Sequence, residues 1–254
     1  MKMLFIESFK KIDKKFVYVV LFDLLFYAGL ALSVVLFSKL LIWAFGSFLQ
    51  IPGKLLALSK MTEFSQLEAG FEGAGMLLDQ FRSKLVISFA VLWVLVVAVF
   101  TFFKGSAWAF VSKTRLDKKY FIKLLKLNLW WFGVIGLLVL VIFWFTKPAA
   151  TGFSVLLLAG LSICFTAVFY SVFDPKKSVR ELFQKLWYVG VERIYYFILP
   201  FLLAKVILIL YLGIIAFIAM LVVPDIALYV LFAFFVVWQA WFKYYIYLVA
   251  RGIK

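Results

Sequence analysis

Histidine is missing from this chain altogether, and cysteine occurs once, at Cys164, in 254 residues. The first absence removes the commonest general base and the commonest transition-metal ligand. The second excludes an intramolecular disulfide, and a lone thiol set in the apolar run 156–168 reads as a small packing residue. Acidic residues are scarce too, 12 against 27 Lys and Arg. Glu63, Glu68, Glu72 and Asp79 are interleaved with basic residues, which suits a solvated helix face better than a metal site. No H-E-x-x-H, Walker A, G-x-S-x-G or Cys/His cluster is present. These gaps predict no metal, no cofactor and no enzyme, leaving lipid-headgroup chemistry at Asp23 as the one opening for catalysis.

What the chain has in excess is apolar and aromatic surface, 67% and 21% of its residues. Its mean hydropathy is +1.11. Soluble domains are roughly 45–50% apolar, and one of this size could not hide so much apolar area from water. Lipid resolves the conflict. The net charge of +15 raises nucleic acid as a partner, but the basic residues stand at the ends of apolar runs rather than along one face. Anionic lipid headgroups are the expected partner, and nucleic acid is not. A protein partner or a second copy stays open.

Six segments reach the roughly 20 residues that a helix needs to cross the hydrocarbon core: 16–37 (extendable to 45), 85–103, 127–145, 153–173, 195–222 and 226–248. The fold expected is an all-α, polytopic transmembrane helical bundle of six spans, forming one domain over 1–254. The first apolar stretch is too long for a secretion-signal core and ends without a small-x-small site, so it is read as an uncleaved span. Pro224-Asp225 supplies the turn between the last two spans. Of the basic residues, 20 fall at the two termini and in the second and fourth connections, and five fall on the other side. That bias predicts both termini cytoplasmic, in a prokaryotic cytoplasmic membrane. Connection 50–84 is then extracytoplasmic. Leu58, Met61, Phe64, Leu67 and Phe71 recur there at helical steps, Ser65-x-x-Glu68 could be a capping box, and Gly70, Gly73 and Gly75 are expected to break the helix before the second span.

Three helix starts look alike: Phe9-Lys10-Lys11, Phe121-Ile122-Lys123 and Phe183-Gln184-Lys185, each followed by aromatics. Three repeated helical hairpins would account for this, as would the aromatic belt and basic flank that any span tends to carry. The pattern resembles a loose group of prokaryotic six-span membrane proteins related to the membrane domain of glycerophosphodiester phosphodiesterases. The resemblance covers the whole chain through hydropathy and the Phe-x-Lys openings. It implies a repeated-hairpin bundle, carries over no functional residue, and includes no counterpart of the hydrolase domain found in some members.

Polar residues inside spans are expensive and mark the place to look for function. Asp23 in the first span and Lys205 in the fifth lie at comparable depth and form a candidate intramembrane pair. The alternative is a wetted Asp23 and a Lys205 that snorkels to the interface. Lys104, Asn128, Gln239 and Lys243 lie near the same level and form a candidate inner-leaflet polar belt with excess positive charge. An anionic group, above all a lipid phosphate, would suit it. The competing reading makes these residues the wet last turns of helices. Pro200 is expected to kink the fifth span just before Lys205. Two functions remain: transport or handling of an anionic or lipid substrate, and a structural or accessory role exercised through partners.

Overall fold

The computed structural model describes residues 2–10, 12–58, 64–222 and 224–252. Among these residues there is no strand. The helices are α1 (Lys2–Lys10), α2 (Phe16–Phe48), α3 (Gln50–Leu58), α4 (Phe64–Val99), α5 (Gly105–Ser112), α6 (Lys118–Phe145), α7 (Pro148–Val172), α8 (Val179–Trp187), α9 (Tyr195–Val222) and α10 (Ala227–Gly252). Phe100–Lys104 and Tyr188–Glu192 are π-helical turns, and a 3-10 turn at Pro224–Ile226 joins α9 to α10 at the Pro-Asp pair, as expected.

Six helical stretches are long and apolar enough to cross a membrane: Phe16–Leu56, Gly70–Ser112, Lys118–Phe145, Ala150–Val172, Tyr195–Met220 and Ala227–Gly252. The chain is thus all-α and has the makings of a multi-pass membrane protein. The first two stretches hold 41 and 43 residues. Each holds about twice the roughly 20 residues that a hydrocarbon core needs, and each is interrupted, by a turn at Leu49 in the first and by the π turn Phe100–Lys104 in the second.

One expectation fails here. Gly70, Gly73 and Gly75 do not break the chain, because α4 runs unbroken from Phe64 to Val99. Each glycine weakens a helix by about 1 kcal/mol against alanine, which long apolar flanks on the C-terminal side outweigh. Of the amphipathic helix expected in this connection, Met61 lies outside the described residues. α9 holds Pro200 inside one continuous helix, as a helix kinked at that point also would.

The chain forms two compact units, Tyr27–Val99 on one hand and Met1–Phe26 with Phe100–Lys254 on the other. The first holds most of α2, all of α3 and α4. Its helices meet through aromatic rings: Phe37 lies 5.3 Å from Phe89, and Phe45 and Phe48 flank Phe81 at 5.5 and 5.2 Å. Lys84 Nζ donates to Ser47 Oγ at 2.7 Å and sits 4.9 Å from the Trp43 ring centroid.

The second unit concentrates its packing near the ends of spans that carry the basic connections. On α6 the buried residues are Tyr120, Leu124, Leu127 and Asn128, a single stripe at steps of four, three and one. Beyond that stripe the helix is bare: Leu137, Leu140, Phe143, Trp144 and Phe145 are all exposed, Trp144 by 85%. Such a surface suits lipid and not water. α10 shows the same gradient in reverse, with Leu228 and Tyr229 exposed and the run from Ala240 to Ile246 buried.

The short helix α1 packs on α10 through the same logic of three- and four-residue spacing. Phe5 stands edge-on to Trp241 at 5.2 Å, Phe9 stacks on it at 4.9 Å, and Trp241 Nε1 donates to Ser8 Oγ at 3.0 Å. Ser178 caps α8, its hydroxyl accepting from Glu181 N at 3.2 Å, and Leu182 and Leu186 turn into the core. The π turn after α8 closes with Arg193 N donating to Tyr188 O at 3.1 Å.

Candidate functional site

Asp23, on α2, is fully buried and brings a carboxylate into the bundle. Lys243 of α10 donates a hydrogen bond to Asp23 Oδ2. Lys104, the last residue of the first π turn, places its Nζ 3.5 Å from Asp23 Oδ1. Three spans therefore converge on one charge cluster. By helix rise, Asp23 lies about 10 Å from the start of α2, Lys104 about 12 Å from the end of α5, and Lys243 about 14 Å from the end of α10.

The local sequence allows this closeness. Val19, Ala107, Val111, Ala240 and Tyr244 form a buried cluster one turn from the charges, and two of its five members are alanines. Small side chains let helix axes approach. Gly105 contributes in the same way, since a Cβ there would lie 2.3 Å from Leu124 Cδ2. Around Lys104, Phe26 offers its ring face at 4.6 Å from Nζ and meets Phe100 edge-on at 4.8 Å.

The two ammonium groups differ. Lys243 is buried and spends its donors on Asp23 and, at 3.4 Å, on the carbonyl of Gln239. Lys104 keeps 16% of its side chain exposed, and Asp23 Oδ1 accepts no hydrogen bond. Lys104 is held to that oxygen by charge at a distance, which is the looser attachment. With all three groups ionised, the cluster carries one surplus positive charge.

A second polar network lies beside the π turn. Asn128 Nδ2 donates to Thr101 Oγ1 at 2.9 Å, and Tyr170 OH donates to Asn128 Oδ1 at 3.0 Å, with the Phe100 carbonyl at 3.3 Å. Tyr120 OH donates to the carbonyl of Gly105 at 2.7 Å. Tyrosine hydroxyls thus serve carbonyls at both ends of the π turn. Buried backbone acceptors near an irregular turn need such donors.

The residues singled out from sequence divide accordingly. Asp23, Lys104 and Lys243 come together. Lys205 does not join them: it is half-buried on α9, with Nζ 6.0 Å from the Phe242 ring centroid, and Asp23 pairs with the other two lysines instead. Depth along a helix can be counted from sequence, but the direction a residue faces cannot, and the expected partner is wrong for that reason. Asn128 is buried in its own network. Gln239 gives the cluster its backbone carbonyl. Thr101 and Tyr170 escape the sequence reading; a hydroxyl inside an apolar run is the available signal. Among the described residues, no three His, Cys, Asp or Glu side chains converge as a metal site would require.

Compared with protein-family models, with curated proteins and with solved structures, the chain matches none.

Proposed function

We propose that this multi-pass membrane protein handles an anionic lipid of the cytoplasmic leaflet, whose headgroup is drawn to the surplus positive charge of the Asp23–Lys104–Lys243 cluster. The observation that carries the reading is the stoichiometry of that cluster, two ammonium groups on one carboxylate, with Lys104 as its partly exposed member. In a low-dielectric surround an uncompensated charge exerts a strong field. A phosphate reaching Lys104 would complete the balance while Lys243 keeps its hydrogen bond to Asp23. The basic-residue bias supports the cytoplasmic side. No covalent step is assigned.

A second reading has its own support in the complete burial of Asp23 and Lys243. On that reading the cluster only bolts α2, α10 and the π turn together, and the protein acts as a structural or accessory partner. Native mass spectrometry of the purified protein separates the two. Lys104→Met is expected to lose co-purifying anionic phospholipid while melting at an unchanged temperature. Equal lipid retention by both proteins would reject lipid handling at this site and favour the bolt.

A further inference from the structure

Along the start of α6, Lys118, Lys119, Ile122, Lys123 and Lys126 line a groove of about 460 Å³. Lys118, Ile122 and Lys126 follow one another at four-residue steps, and Lys119 and Lys123 form the adjacent row. The groove has a fixed wall. Lys123 Nζ donates to the carbonyl oxygens of Pro175 at 2.7 Å and of Lys177, tying α6 to the turn before α8.

The two acids that flank the groove in sequence each hold a backbone amide. Asp117 caps α6 by accepting from Tyr120 N at 2.7 Å, and Asp174 accepts from Lys176 N at 2.9 Å. Among the described residues, none of the four groove lysines is in an ion pair. The same turn is crowded with cations from the other side: burial and then the charge of Lys177 push the Lys185 ammonium below its ordinary value, with Asp174 opposing and Arg251 adding to the shift. Positive charge here exceeds what the local carboxylates can offset.

The groove also has a level. One turn past Lys126, Trp130 is 51% exposed and meets Phe183 edge-on at 4.3 Å, and from Leu127 onward α6 is almost wholly apolar. Tryptophan in that position marks the boundary between headgroups and acyl chains. Lysines directly above such a boundary would stand at the level of the phosphates.

We propose that this lysine groove is a second site, separate from the buried cluster, that binds the phosphate of an anionic phospholipid headgroup. Lys123 is fixed as a wall, the carbon stems of the lysines and the exposed Ile122 line the groove for the glycerol end of the lipid, and the ammonium groups of Lys118, Lys119 and Lys126 take the phosphate at its rim. The site stands whether or not the buried cluster handles lipid, because it shares no residue with it.

The test titrates phosphatidylglycerol into the detergent-purified full-length protein and counts bound lipids by native mass spectrometry. Three proteins are compared: wild type, Lys118→Gln/Lys119→Gln/Lys126→Gln, and Lys104→Met. The triple variant is expected to lose about a hundredfold in affinity for one class of bound lipid, the scale for three lysines near an anionic headgroup. It should melt as wild type does, and the corresponding triple arginine variant should bind normally. Wild-type binding in the triple glutamine variant would overturn the groove whatever Lys104→Met does. A loss confined to Lys104→Met would overturn it too, while upholding the cluster. Equal uptake of phosphatidylcholine, or displacement of phosphatidylglycerol by millimolar inorganic phosphate, would overturn the assignment to an anionic phospholipid.

Discussion

Two regions of this protein seat a lysine ammonium among apolar helices, and they do it differently. In unit Tyr27–Val99, Lys84 makes do with a hydroxyl and a ring, Ser47 Oγ at 2.7 Å and Trp43 at 4.9 Å. In the other unit, Lys243 is closed off and receives a full carboxylate, with Lys104 beside it. The contrast follows from desolvation. A half-buried ammonium keeps part of its hydration and needs little from the protein, whereas a buried one has no stable seat without a countercharge.

The sharpest way to break that comparison is to remove the countercharge. Asp23→Ala strands two ammonium groups and should destabilise the protein by about 3–5 kcal/mol, read as a large drop in melting temperature or a failure to express. Adding Lys243→Met should recover part of the loss. A wild-type melt for Asp23→Ala alone would show that the cluster contributes nothing to folding.

Next in size is the packing that closes the helices around the charges. Gly105→Ala brings a methyl to 2.3 Å from the buried Leu124 Cδ2 and should cost about 1–3 kcal/mol. The matching change in the other unit, Gly46→Ala, has nothing within 4 Å of its new methyl and should leave the melt unchanged or slightly raised. Equal effects at the two glycines would remove the claimed difference in closure.

Lys84→Met should come third, within about 1–2 kcal/mol of wild type, because it gives up one hydrogen bond to a neutral partner and one cation–π contact. A cost as large as that of Asp23→Ala would mean that the fold depends on Lys84 no less than on the buried charge cluster.

The smallest effect belongs to Lys185. Its ammonium titrates lower in the folded protein than in the unfolded chain, so between those two values the unfolded chain holds the extra proton. Stability should therefore rise slightly as pH climbs toward the ordinary lysine value, and Lys185→Gln should flatten that slope. Melting curves across the alkaline range measure it, and a falling slope in wild type would reverse the sign of the argument.

Much of the fold was legible because span length leaves little choice in lipid. Six apolar runs correspond to six helical stretches, and Pro224-Asp225 to the turn between α9 and α10. The glycines at 70, 73 and 75 mislead, since a local penalty of a few kcal/mol is set against a long cooperative helix. At the site, Asp23 announces itself as an expensive residue and Lys104 and Lys243 as cations at its depth. Which lysine faces it depends on helix azimuth. Lys205 sits against the Phe242 ring and is not the lysine that pairs with Asp23, and neither depth nor composition encodes that. The π turn that ends on Lys104 leaves no mark in the sequence either, because its residues, Phe-Thr-Phe-Phe-Lys, would serve equally in a regular helix.

The other π turn, Tyr188–Glu192, works like slack in a rope at the end of α8, ahead of the turn at Arg193–Ile194 that leads into α9. A π turn spends one residue more than an α turn, and each residue rotates a helix by about 100°. Deleting Val191 would let the segment wind as ordinary α-helix, with the extra residue gone and the flanking turns still in register. Leu182 and Leu186 would stay in the core, and Lys185 would keep its place beside them. This junction thus has one residue of slack: the first deletion is absorbed, and a second would turn the flanking faces by about 100° and take the leucines out of the core.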